Sequence, residues 1–209
     1  MNRIKDLPLK EKLENIWYYY KWYILAGVFL VLSVSILISS FLTRENYVFN
    51  VSIVGYYENL NKDEVTNFQK EVTKLVVPAS RKNTSALIDL YQAKNTNSKY
   101  KDLEPSAVEK LSVKMAAKDV DILIINKDDF DFFMKQGTFF SLDYLNLDSN
   151  DKNSKLIKSN SSVYGVSVEG NKLLNKIGYD TKDKFIGILA NSKDKKNSEE
   201  VLNWILKYD

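Results

Sequence analysis

Residues 118–137 read KDVDILIINKDDFDFFMKQG. The block VDILII, residues 120–125, is apolar apart from Asp121 and rich in β-branched side chains, which predicts a short strand. The charged stretch after it places Phe130, Phe133 and Met134 on one side of a helix, and Gly137 supplies the stop. A strand that passes straight into a helix is half of a βα crossover. A run of consecutive apolar residues, rather than strict alternation, is what a strand buried on both faces requires.

The same order recurs upstream. YVFNVSIVGYY, residues 47–57, is β-branched and aromatic and predicts a first buried strand. In the helix predicted next, Asn61 and Glu64 stand at capping-box spacing, and Val65, Phe68, Val72, Leu75 and Val76 form a stripe that stops before Pro78. TSALIDLYQ, residues 84–92, predicts a second strand, and Pro105 opens a helix with Val108, Leu111 and Met115 on one side. Downstream, YGVSVEG (164–170) and DKFIGILANS (183–192) predict strands. NSEEVLNWILKY (197–208) predicts a helix with Val201, Trp204, Ile205 and Tyr208 inward and a capping box at Asn197 and Glu200. The polar run between Leu147 and Ser162 is expected to be a loop. Alternating strands and helices imply a doubly wound, mostly parallel, three-layer α/β/α domain over residues 48–209.

The N-terminal part has a different composition. Residues 22–42, WYILAGVFLVLSVSILISSFL, carry no charge, and about 20 such residues at 1.5 Å rise span a bilayer core. Immediately before them stand Trp17, Tyr18, Tyr19, Tyr20, Lys21, Trp22 and Tyr23. Tryptophan and tyrosine favour the headgroup layer because an apolar ring carries a polar tip, and Lys21 can reach water from the same level. Arg3, Lys5, Lys10, Lys12 and Lys21 precede the run, while only Arg44 follows closely, beside Glu45. That bias predicts a cytoplasmic N-terminus and an extracellular C-terminal domain at the cell membrane. The apolar run exceeds the length of a secretory signal, so a retained anchor is expected. Residues 6–21 have helical apolar spacing at Leu9, Leu13, Ile16, Trp17 and Tyr20, consistent with a juxtamembrane helix over 1–21, a span over 22–42 and a linker over 43–47.

The segment AAKDVDILIINKDDFDFFMKQGTFFSLDYL (116–145) resembles the extracellular solute-binding proteins of ABC transporters, the type 2 periplasmic-binding-protein class. In them a D-V-D strand leads to a helix, a glycine and a hydrophobic landing before L-D. IGILANSKDKKNSEEVLNWIL (186–206) is similar to the return into the first lobe, and YGVSVEG to the crossover strand. Only NKLLNKIGYDTKDK separates Gly170 from Phe185, so no second lobe fits. The resemblance implies a single, truncated lobe, and none of the family's ligand residues carries over. A lobe without its facing wall is not expected to hold a small molecule, since pockets bury most of their guests.

Composition removes much chemistry. The 209 residues contain no histidine and no cysteine, which excludes Ser-His and Cys-His nucleophile pairs, thiolate chemistry and the usual zinc ligands. With 30 basic and 27 acidic residues no basic patch calls for nucleic acid, and seven scattered glycines build no phosphate loop. Ser149 and Lys152 stand at a spacing that chance supplies. Asp128, Asp129 and Asp131 sit where a helix starts and are read as macrodipole partners rather than cation ligands. The stretch from Asp148 fails the calcium-loop pattern at Lys152, Asn153 and Ser159. No enzyme, metal or cofactor is therefore expected. The remaining candidates are contacts: Tyr56 and Tyr57 at the carboxyl end of the first strand, where doubly wound sheets place their sites, and Phe132, the aromatic least accounted for by the helix stripe. These features predict a non-catalytic, single-pass accessory subunit whose partners are the bilayer and a multi-span membrane protein of the ABC-transporter kind. The alternative is a membrane-tethered sensor or binding protein for a peptide or solute.

Overall fold

The strand of the 118–137 stretch sends its side chains alternately to two sides. Ile122 and Ile124 join one apolar cluster and Leu123 and Ile125 another, and all four are fully buried. The computed structural model describes residues 9–42, 45–145 and 155–208, in two units, 1–45 and 46–209.

In the second unit the elements run β1 (Asn46–Gly55), α2 (Lys62–Val76), β2 (Thr84–Gln92), α3 (Pro105–Ala116), β3 (Ile122–Asn126), α4 (Lys127–Lys135), β4 (Leu156–Ser159), β5 (Ser162–Ser167), α5 (Lys172–Lys176), β6 (Lys184–Ile188) and α6 (Lys195–Leu206). The six strands form one sheet in the order β2-β1-β3-β6-β5-β4. β1 pairs in parallel with β2 and β3, whereas β6 is antiparallel to β3 and β5, and β4 is antiparallel to β5. The domain is thus mixed α/β, with β1, β2, β3 and β5 running one way and β4 and β6 the other.

The parallel arrangement is therefore confined to the N-terminal half. Parallel neighbours need a crossover of a dozen or more residues, usually a helix long enough to cover the sheet. α2 and α3 provide that, but α5 has five residues and β4 joins β5 through two. Those two, Asn160 and Ser161, both have positive φ (48° and 71°), the geometry of a tight hairpin turn matched to strand twist. The expected loop thus contains a strand, β4. Residues 146–154, with Ser149, Lys152 and the start of the calcium-loop comparison, lie outside the described residues.

One apolar cluster packs Phe68, Val72 and Val76 of α2, Leu173 and Leu174 of α5, and Val201, Leu202 and Ile205 of α6 against the sheet; the other takes Leu111 of α3 and Phe130 and Phe133 of α4. Phe130 fits because β5 and β6 offer it glycines. A Cβ at Gly165 would come 2.5 Å from the ring, and one at Gly187 2.8 Å. The ring then stacks on Phe139 at 3.9 Å between centroids. At α2 half of the expected capping box forms: Asn61 accepts from the Asp63 and Glu64 amides, while its own amide donates to Ile177 O at 3.2 Å. At α6 the helix begins earlier than expected: the cap is Asp194, which accepts from the Asn197 amide, and Asn197 reaches back to the Asp194 carboxylate at 2.7 Å.

The first unit contains α1 (Leu9–Leu42), one unbroken helix of 34 residues, about 51 Å long at 1.5 Å per residue. The helix passes without a break through residues 21 and 22, where the juxtamembrane part is expected to give way to the span. Within α1, Ile16–Ser39 is long and apolar enough to cross a membrane, with a mean hydropathy of 2.3 in its most apolar 18 residues.

Candidate functional site

The carboxyl ends of β1, β2 and β3, at Gly55, Gln92 and Asn126, lie on one edge of the domain. Because β6 runs the opposite way, its first residue, Lys184, arrives at that same edge opposite Asn126. The loops from these ends enclose an open cleft of about 800 Å³ lined by Thr96, Asn97, Lys99, Asn126, Asp128, Lys155, Glu169, Asp180, Lys182, Asp183 and Lys184. A second open cleft of about 580 Å³, which includes Tyr56, Asn59, Asn61 and Tyr179, shares Thr96 and Asp180 with it. Both sizes are in the range of ligand sites, and no aromatic side chain lines the larger one.

Hydrogen bonds from backbone amides hold the rim in place. The Asp180 amide donates to Tyr56 O (3.0 Å), the Lys182 amide to the Asp180 carboxylate (3.1 Å) and the Lys127 amide to Asp183 O (3.1 Å). Asp183 sits in the left-handed region with φ 54°, an uncommon conformation for a residue other than glycine, asparagine or aspartate. Gly178 (φ 84°) passes so close to the neighbouring loop that a Cβ would meet Asn59 O at 2.2 Å, and its carbonyl accepts from the Glu58 amide at 3.0 Å.

The charges in the cleft divide into two groups. Lys99 pairs with Asp128 at 2.9 Å and Lys155 with Glu169 at 2.7 Å. Among the described residues, Lys182, Lys184, Asp180 and Asp183 make no ion pair within 4 Å. Lys184 is only 3 % exposed, and its ammonium donates to two backbone carbonyls, Lys182 O at 3.1 Å and Thr96 O at 3.4 Å. Burial pulls its pKa below the ordinary lysine value, against the opposing pull of Asp180, Asp183 and Asp129. An ammonium carries three donors, so this one retains capacity for an acceptor in the cleft.

The sequence-expected contacts fare differently from one another. Tyr56 is half-buried and lines the smaller cleft. Tyr57 is a correction: it is 4 % exposed, its hydroxyl donates to Ile53 O at 3.1 Å, and its ring lies 5.3 Å from that of Tyr179. Burial raises both phenols well above their usual pKa, so they remain neutral parts of the core. Phe132 is 60 % exposed on α4, while Phe130 and Phe133 of the same helix are buried. The acidic group is dispersed among partners: Asp128 on Lys99, Asp131 on Lys127 at 2.7 Å, and Asp129 on the Tyr100 amide and the Asn126 side chain. No group of three or more possible metal ligands occurs among the described residues. Sequence reasoning missed Lys184, Asp180 and Asp183: it places Asp183 and Lys184 only at the start of a predicted strand, and Asp180 only in the short stretch between Gly170 and Phe185.

On α1, Trp17, Tyr18, Tyr19, Tyr20, Trp22 and Tyr23 are all more than half exposed. Four consecutive rings at 100° per residue encircle the helix and form a collar around it.

Away from this edge, Asp89 of β2 accepts from Lys110 and Lys114 of α3 at 2.7 Å each and from Tyr91 at 2.8 Å. Burial pushes its carboxyl upward, but these three bonds outweigh it and leave the pKa lowered. Asp121 accepts from the Ser192 hydroxyl at 2.6 Å and the Asn50 amide at 2.9 Å, and burial leaves its pKa raised. Both are closed polar knots that tie elements together.

Comparison with protein-family models, with curated proteins and with solved structures gives no match for this chain.

Proposed function

We propose that this chain is a single-pass membrane accessory subunit, with α1 as a retained anchor, its N-terminus cytoplasmic, and the α/β domain outside the cell membrane against a multi-span protein of the ABC-transporter kind. The observation that carries the reading is the contrast between the two units. The second closes both of its apolar clusters with its own residues. The first leaves Ile16–Ser39 with none of its apolar window buried in protein. Each large apolar side chain left in water forgoes about 1.5–3 kcal/mol, so a helix of this kind needs lipid or another protein around it. The aromatic collar and the N-terminal lysines suit one membrane interface. Helices on both sides of the sheet support a three-layer domain.

Chemical crosslinking in native membranes followed by purification in mild detergent tests the proposal. A multi-span membrane protein crosslinked to this chain is expected; recovery of the chain strictly alone would argue against it.

The open cleft at the carboxyl edge favours a second reading, a tethered binding domain for a peptide or solute. Consistent thermal stabilisation by members of a peptide and metabolite panel would support it.

A further inference from the structure

We infer that the larger cleft at the carboxyl edge is a recognition site for a short peptide with free termini, its carboxylate on Lys184 and its ammonium on Asp180 and Asp183. The inference deepens the second reading above and rests on it.

The argument starts from unspent charge. Surface lysines and carboxylates within one cleft ordinarily find each other, as Lys99 with Asp128 and Lys155 with Glu169 do here. Lys182, Lys184, Asp180 and Asp183 line the same wall without pairing. The Asp180 carboxylate accepts from the Lys182 amide, and Asp183 has a left-handed backbone conformation. Two cations and two anions on one wall, none within 4 Å of an opposite charge among the described residues, are complementary to a guest that carries both signs.

Lys184 adds the chemistry of the carboxylate end. The residue is buried apart from the part that borders the cleft, its ammonium donates to two backbone carbonyls, and it feels Asp180, Asp183 and Asp129 without an ion pair to any of them. Taking a charged amine out of water is costly, and an incoming carboxylate offsets that cost where a carbonyl offsets little. The rest of the lining suits the body of the guest. Thr96, Asn97 and Asn126 offer hydroxyl and amide groups to peptide units, and no aromatic side chain calls for an apolar guest. A volume of about 800 Å³ exceeds what one amino acid fills and accommodates several residues.

The test uses the full-length protein in detergent micelles and isothermal titration with trialanine, N-acetyl-trialanine, trialanine amide and alanine. Free trialanine is expected to bind, and blocking either end is expected to weaken it by about tenfold or more. Lys184→Met should remove the preference for the free carboxylate. Because Lys184 is buried, Asp183→Asn serves as a second variant: asparagine tolerates the left-handed conformation, so the fold is kept. D183N should weaken free trialanine while leaving N-acetyl-trialanine unchanged. No binding of trialanine, equal binding of the blocked peptides, or unchanged binding by D183N would overturn the inference. Alanine binding as tightly as trialanine would overturn the peptide assignment in favour of a free amino acid. Stabilisation by a non-peptide metabolite without trialanine binding would overturn the inference and leave the binding-domain reading standing.

Discussion

Asp89 is where a single atom group does most to join two elements of the domain. Its two oxygens receive both lysines of α3 and the Tyr91 hydroxyl, so β2 and α3 are tied at one point. Asp89→Asn keeps one acceptor and removes the charge, and the loss should destabilise the domain by about 2 kcal/mol at neutral pH, since hydrogen bonds to charged groups are worth about 1.5–3 kcal/mol. The pH dependence follows from the lowered folded pKa. Stability from a carboxylate of this kind is fully present above its unfolded value, near 3.8, and fades as pH falls through the lower folded value. The melting-temperature difference between wild type and D89N, followed by intrinsic fluorescence, should therefore be largest at pH 6–7 and shrink below about pH 4. Asp121 has the opposite sign: with its pKa raised, its contribution is present at low pH and is lost as pH rises through the folded value.

At the scale of elements, the packing of α4 against the sheet depends on what β5 and β6 leave out. Gly187→Ala would press a methyl into the edges of both Phe130 and Phe139, each 2.8 Å from the new atom. Overpacking of this kind costs about 1–3 kcal/mol, and urea denaturation should show the midpoint fall with little change in slope. This notch was not legible in the sequence, because a glycine in a strand does not announce which ring will fill its place. The long elements were legible, since Phe68, Val72 and Val76 repeat at helical spacing and Ile122–Ile125 is apolar without interruption. β4 was not: its turn uses Asn160 and Ser161 where a glycine would have flagged the left-handed backbone. The site was half legible. The carboxyl edge and Tyr56 followed from the strand order, but Lys184 arrives there only because β6 is antiparallel, and strand direction is a property of partners distant in sequence. For α1, the anchor reading predicts that a charge at mid-helix is intolerable. Val28→Arg together with Val31→Arg should add about 5 kcal/mol or more to the cost of insertion. The doubly substituted protein should leave the carbonate-resistant membrane fraction that holds the wild type.

For the whole molecule, the division into two units makes a claim about cooperativity. Among the described residues, the buried members of both apolar clusters run from Phe49 to Ile205, all within the second unit. Removing α1 therefore takes nothing from the core, and residues 46–209 should fold alone. A fragment of this size exposes enough surface on unfolding that 1 kcal/mol corresponds to about 2–4 °C in Tm. If α1 contributes no packing, the Tm of the fragment should lie within about 4 °C of that of the full chain in detergent, with one calorimetric transition for the domain. The fragment should also stay dispersed without detergent, because the apolar stretch Ile16–Ser39 is gone. A fragment with native-like far-ultraviolet circular dichroism but no cooperative melt would mean that the domain borrows order from α1. That result would overturn the separation of anchor and domain, because a helix needed to complete the core could not at the same time be surrounded by lipid.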